Sequence, residues 1–294
     1  MMIDDFLNYL RYERNRSDFT VRNYERSLRD FELYFKNLEG HLSWESVDSD
    51  IIRDWMESLM DKGDMASTVN NRLSAVRSFF RFALARGLVT ADPANVVQGP
   101  KKQKPLPQFV RESDMDRLID VPQMWGGDFE GLRARTIIIL FYETGIRLAE
   151  LVALDDQDVD FGVRQLKVTG KRNKQRIIPF GDELNQVLKE YLRQRDEQWP
   201  QHGSALFVND KGERIGRWQV RTLVNQHLSL VTSLKKRSPH VLRHSFATAM
   251  LNHGADLESV RKLLGHTSVA ATEIYTHTTF EHLKKAYENA HPRA

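Results

Sequence analysis

His240, Arg243 and His244 open one helical stretch, "SPHVLRHSFATAMLNHG", at residues 238 to 254. Three cationic or near-cationic groups placed together there suit a metal site, an anion site or a solvated face. The spacing of His240 and His244 is that of two zinc-binding histidines on one helix. A zinc hydrolase of that kind carries a glutamate directly after the first histidine as general base. Here Val241 takes that place, and Arg243 brings a fixed positive charge into the would-be metal site. No metal is expected. The anion use fits better, because Ser238 is placed to cap the helix and Pro239 suits its first turn. His240 and Arg243 then lie near unpaired backbone N–H groups and the positive end of the helix dipole. A guanidinium offers planar, paired donors that match phosphate oxygens, and an imidazole adds another. Taken alone, the stretch reads equally as half a phosphate clamp or as an ordinary capped helix.

Other stretches carry residues of the same chemistry. In "TGIRLAELVAL", Arg147 follows a glycine turn at the end of an apolar run and Glu150 comes three residues later. In "KLLGHTSVAATEIYTH", His266 stands directly after a glycine and Tyr275 nine residues beyond. "RQLKVTG-KRNK-QRIIPFG" has two short strand-like runs around a basic turn, a hairpin whose tip carries Lys171, Arg172 and Lys174. Pro179 puts the second run at a sheet edge or at its end. The helical stretch "STVNNRLSAVRSFFRFALARG" has Val69, Leu73, Val76, Phe80, Ala83 and Leu84 on one face, and Asn70, Ser74, Arg77, Ser78 and Arg81 on another. A face of small polar residues and arginines suits a DNA major groove, and it is equally an ordinary exposed face.

These residues need elements to hold them. The first hundred residues read as helices. Over 20–36, Val21, Tyr24, Leu28, Phe31 and Phe35 recur at three- and four-residue steps with Thr20 as the cap; over 49–63, Ile51, Ile52, Trp55, Met56 and Leu59 do the same. "QGPKKQKPLPQF" is proline- and lysine-rich and marks an extended linker. The division is a helical domain over 1–98, a linker over 99–110, and a second domain over 111–294. That second part combines a buried helix at "GLRARTIIILFYETGI", the hairpin, helices to the C-terminus, and one further short extended piece at "ALFVND-KGERI". The fold class is mainly α with a small β-sheet.

Composition narrows the classes. The chain has 294 residues, no cysteine and a net charge of +3, with a pI near 9.0. Disulfides, thiol nucleophiles and Cys-ligated zinc are excluded. The N-terminus "MMIDDFLNYLRYERN" has no apolar core and is no signal peptide; "TIIILFY" is too short to cross a bilayer. A cytoplasmic protein is expected.

In order and local context, Arg147, Lys171, His240, Arg243, His266 and Tyr275 resemble the catalytic set of the tyrosine recombinases, the phage-integrase family, most closely its Xer branch. Glu150 stands at the family's acidic position. Arg172 replaces a common glycine after the hairpin lysine, and Ala249 a frequent non-catalytic histidine. The resemblance covers nearly the whole chain and implies a two-domain, C-shaped DNA clamp whose N-terminal helices bind the core site. Tyr275 would be the nucleophile, giving a 3′-phosphotyrosyl intermediate and then a Holliday junction. Arg147 and Arg243, helped by His240 and His266, would hold the phosphate oxygens, and Lys171 would protonate the leaving 5′-oxygen. Asn70, Ser74, Arg77, Arg81, Arg172 and Lys174 would contact DNA. No cofactor is implied. The implied partners are double-stranded DNA, homologous subunits in a tetramer (identical or paralogous) and, for the resolution of chromosome or plasmid dimers, a DNA-translocating motor; no membrane is involved. The helix over 280–289 would dock on a neighbouring subunit. A mobile-element integrase and a non-catalytic DNA-binding protein are the alternatives.

Overall fold

The structure, a computed structural model, describes residues 2–102, 108–170, 173–265 and 277–294, with side chains in the last stretch from residue 283 onward. Lys171, Arg172, His266 and Tyr275 lie outside the described residues. The chain divides into two compact units, Met1–Pro105 and Leu106–Ala294.

The first unit is helical: α1 (Met2–Asn8), α2 (Asp18–Leu38), α3 (Ser49–Asp61) and α4 (Ala66–Ala85). Its apolar residues fall at helical spacing, and burying them is what holds four polar-faced helices together. Phe31, Phe35, Trp55, Leu73, Phe79 and Phe80 are buried at the centre. Trp44, from the loop before α3, wedges between them, its ring 4.2 Å from Phe79 and 5.1 Å from Phe35. The cap of α2 is Ser17 rather than Thr20: the Ser17 hydroxyl accepts from the Thr20 N–H, so the helix starts three residues before the expected point. Leu84 is 43 % exposed. The apolar stripe of α4 drifts instead onto Phe79 and Phe82, because a 3.6-residue period does not keep a fixed register over five turns.

The second unit runs α5 (Glu112–Asp120), α6 (Phe129–Thr144), α7 (Leu148–Ala153), β1 (Val159–Asp160), β2 (Gln165–Thr169), β3 (Gln175–Pro179), α8 (Asp182–Gln198), α9 (Arg217–Ser229), α10 (Pro239–Asn252), α11 (Leu257–Leu264) and α12 (His277–Ala290). The three strands form an antiparallel sheet in chain order, with Leu166 opposite Ile178 and Thr169 opposite Gln175. β1 is too short to show a sequence period. The piece expected at 205–215 contributes isolated bridges, Asp155 with Ala205 and Val208 with Arg214, and joins no strand of the sheet. α6 is buried on every face from Thr136 to Thr144, as its aliphatic run demands.

α12 packs on its own unit through Leu283, Tyr287 and Ala290. In the single chain this helix is docked on its own unit. The Tyr287 hydroxyl donates to Glu143 Oε2 at 3.3 Å, and the Gly181 N–H donates to the same oxygen at 2.8 Å. His291 stacks on Tyr287 with ring centroids 5.1 Å apart, and its Nε2–H donates to the Tyr142 carbonyl at 3.2 Å. Arg293 binds Asp120, Asp116 and Glu183.

Burial pushes Glu143 up to about 8, with Glu183 adding to the effect and the Gly181 and Tyr287 bonds opposing it. Burial pulls His291 down to about 3. Glu143 holds its proton more tightly folded than unfolded, so its share of stability is complete below about pH 4.5 and lost as pH rises through 8. The share of His291 is complete above pH 6.5 and lost as pH falls toward 3. Of these two groups, Glu143 is the one whose contribution changes between pH 6.5 and 8. Urea unfolding over that interval should show stability falling in the native chain and a flatter profile in Glu143→Gln; equal slopes would remove Glu143 as the cause.

Candidate active site

α6 ends at Gly145, which turns the chain at φ +59°. A Cβ at this point would lie 2.5 Å from the Phe246 ring and 2.8 Å from Leu264, so glycine meets both the conformation and the space. The turn leads through buried Ile146 to Arg147, the N-cap of α7. Glu150, at the third position of that helix, reaches back to the Arg147 N–H at 2.8 Å and takes its guanidinium at 2.9 Å. The short helix is thereby capped by the carboxylate it carries.

β3 supplies a residue that the reading of the hairpin left out. Arg176 points inward, 6 % exposed, on the same strand face as Ile178. Its two terminal nitrogens fork onto both oxygens of Glu150, each at 2.9 Å, and its Nε donates to the Leu263 carbonyl at 2.7 Å. Period-two alternation across "QRIIP" was the available signal. An arginine on a buried strand face needs a carboxylate partner, and Glu150 was already in view.

Arg243 comes from the second turn of α10 and is 5 % exposed. It donates to the Gly145 carbonyl and to the Leu264 carbonyl, both at 2.6 Å. Arg147 completes the set, donating to the Gly265 carbonyl at 3.1 Å. Three successive carbonyls at the end of α11 thus each receive one guanidinium. These are groups a helix terminus leaves without intrahelical partners, and they carry its negative dipole end. Ser238 is the N-cap of α10, but its side chain makes no capping bond. Arg243 is accordingly oriented by carbonyls of α6 and α11, not by the N–H groups of its own helix.

The charges are unequal. Burial opposes ionisation of Glu150, yet Arg176 and then Arg147 outweigh it and hold the carboxyl at about 2. Burial, then Arg147 and Arg176, pulls Arg243 down to about 9, still a cation at neutral pH. Three guanidiniums around one carboxylate leave an excess of positive charge. Arg147, 41 % exposed at its side chain, carries that excess to the surface. Such an excess, found among the described residues, suits the binding of an anion.

His240 is exposed beside it, its Nε2 3.1 Å from that of His244. Burial, then the charges of His244, Arg243 and Arg147, lower its pKa. Its imidazole is therefore neutral at pH 7 and can accept a proton. Among the described residues, no group of three or more histidines and carboxylates could hold a metal ion.

The remaining expected residues are dispersed. Lys174 is exposed on the hairpin, where its carbonyl accepts from the Gly170 N–H. In the first unit Arg81 and Ser74 are exposed, with Ser74 donating back to the Asn70 carbonyl. Asn70 donates to the Pro100 carbonyl at 2.8 Å, and Arg77 to the carbonyls of Ala94 and Val97. Those two side chains bind the segment that follows their own helix, a demand the wheel projection did not reveal.

Residues 108–282 match the phage integrase family model, and residues 3–87 match that of the phage integrase N-terminal SAM-like domain. The chain belongs to the phage integrase family. It is 38 % identical to tyrosine recombinase XerC of Natranaerobius thermophilus, covering 99 % of this chain and 98 % of that one. It is 33 % identical to tyrosine recombinase XerD of Oceanobacillus iheyensis, over 99 % and 98 %. The fold matches that of XerH site-specific recombinase in a post-cleavage complex with palindromic difH substrate: TM-score 0.73 at 22 % identity, covering 93 % of this chain and 80 % of that one. No helix among the described residues is long and apolar enough to cross a membrane.

The anchoring of Arg243 is measurable without DNA. Arg243→Lys keeps a positive charge but cannot span the Gly145 and Leu264 carbonyls together. A loss of about 1–3 kcal/mol in urea unfolding is expected, and an unchanged midpoint would show that the two bonds add nothing.

Proposed function

We propose that this chain is a site-specific tyrosine recombinase of the Xer type, acting on double-stranded DNA within a multi-subunit assembly. The observation that carries the reading is the Arg147–Arg243 pair, fixed by Glu150 and the α11 carbonyls, in a chain that aligns from end to end with tyrosine recombinases.

The scissile phosphodiester sits on the two arginines. The Tyr275 phenolic oxygen bonds to phosphorus, the bond to the 5′-oxygen breaks, and a 3′-phosphotyrosyl linkage remains. The phenolic proton passes to a neutral imidazole, His240, whose lowered pKa suits it to the task. The departing 5′-oxygen takes a proton from Lys171, and His266 adds a donor to the non-bridging oxygens. Extra negative charge builds on those oxygens in the five-coordinate transition state. Guanidiniums already held in place stabilise it without reorganising, and one such donor is worth about a hundredfold in rate or more. Religation by a second 5′-hydroxyl reverses the steps and conserves the energy of the linkage. Two rounds on paired sites pass through a Holliday junction. The Xer reading assigns the enzyme to resolving chromosome or plasmid dimers, with a paralogous subunit and a DNA-translocating motor as further partners.

A nicked suicide duplex carrying the target site should trap a covalent protein–DNA adduct in the native chain and none in Tyr275→Phe. An adduct that persists in the variant moves the nucleophile to another residue.

In the first unit, Arg81 and Ser74 face the DNA, while Arg77 and Asn70 shape the surface beside them. Arg81→Ala should weaken site binding and lower the salt slope by about one, with an unchanged melting temperature. Arg77→Ala should also lower the melting temperature, since it releases the Ala94 and Val97 carbonyls. If both variants bind as the native chain does at moderate salt, α4 is not the DNA face.

A further inference from the structure

Arg176 belongs to no part of the proposed chemistry, yet it is the most heavily engaged side chain in the centre. It is 6 % exposed and spends all three guanidinium nitrogens on fixed acceptors: Glu150 Oε1, Glu150 Oε2 and the Leu263 carbonyl. A Cβ added to Gly265 would press on it at 3.1 Å, and one added to Gly170 would lie 3.2 Å from Glu150 Oε1 and 3.8 Å from Arg176 Nη1. Two glycines therefore leave room for this ion pair, one in the hairpin and one at the end of α11.

We infer that Arg176 is a positioning residue: it fixes the mutual geometry of Arg147 and Arg243 by clamping Glu150 and the end of α11 to the same strand. Glu150 holds Arg147 through its backbone and its side chain. The end of α11 holds Arg147 through Gly265 and Arg243 through Leu264. Without Arg176, the carboxylate that aims Arg147 and the carbonyls that aim both arginines lose the bonds that tie them to one strand, and Arg147 alone is left to bridge them. A rotation of Glu150 toward Arg243 would draw the guanidiniums into a different spacing. The cost falls on the transition state, which needs both donors at fixed places, and not on the binding of DNA, which many contacts share.

The inference rests on the recombinase reading, and the experiment separates the two. With the suicide duplex, the native chain must first give a Tyr275-dependent adduct; its absence sinks the reading itself. Arg176→Lys is then compared under single-turnover conditions on saturated DNA. The ammonium keeps the charge beside Glu150 but cannot fork onto both oxygens and reach Leu263. Cleavage is expected to slow by about ten- to a hundredfold, the scale of an ångström of misplacement, with the DNA Kd within about twofold of the native value. Cleavage within twofold of native overturns the inference. So does a loss of rate and affinity together in step with a fallen melting temperature, the mark of a merely structural role.

A second variant covers the case in which a buried charge left without its partner dominates. Glu150→Gln with Arg176→Met removes the pair together, which is milder on stability than breaking it from one side. The double variant should fold and bind the site, yet cleave at least about tenfold more slowly. Native-rate cleavage by this double variant overturns the inference as well.

Discussion

Three guanidiniums meeting the carboxyl end of one short helix is the constraint on which the centre depends. Arg176, Arg243 and Arg147 take the carbonyls of Leu263, Leu264 and Gly265 in turn. Each bond serves two needs. A helix terminus must find donors for its last carbonyls, and an arginine needs an acceptor to hold its long side chain in one conformation. Burial first, and then the repulsion of Arg147 and Arg176, depress the pKa of Arg243, and Glu150 offsets only part of that. The arrangement is stable because carbonyl dipoles and one carboxylate share the burden. It is useful because they do not cancel the charge.

The segment from Glu143 to Arg147 is the frame on which the rest is hung. Glu143 receives α12 through Tyr287, Gly145 receives α10 through Arg243, and Arg147 reaches the end of α11. Alternate residues of a single turn thus fasten three different helices. That turn follows α6, which is buried from Thr136 to Thr144, so its position is set by a helix enclosed on every side. A side chain anchored there inherits the rigidity of the core, which a preorganised electrostatic site requires. The glycine at the middle of the segment is forced by the approach of Phe246 and Leu264, not merely by the need to end a helix.

Much of this was legible in the residues. Arg147, Glu150 and Arg243 stand in local patterns that single them out, and helical periodicity located the principal helices of both units. What escaped depends on contacts between distant segments. Arg176 stands in the second strand-like run, where alternation pairs it with Ile178, but only strand pairing and packing show that their shared face is the buried one. Arg77 and Asn70 read as a polar face until the segment over 94–100 folds back and takes their donors. Ser17 displaces Thr20 as a cap because either hydroxyl fits the local sequence, and the tertiary start of α2 decides between them. The β1 strand, two residues long, is defined only by its pairing.

Burial also bears on which phenol can attack. A nucleophilic tyrosine must give up its proton near neutral pH, and loss of that proton is opposed wherever water is excluded. Tyr287, Tyr191 and Tyr142 are all buried, and burial pushes each of their pKa values up. Tyr287 is fully buried, and burial first, then the neighbouring Glu143 carboxyl, push its pKa well above the usual phenol range. A phenol beside Arg147 and Arg243 meets the reverse condition, since an excess of positive charge favours the phenolate. Tyr287, buried against Glu143 and away from that charge, is held back from ionising and is ill suited to attack.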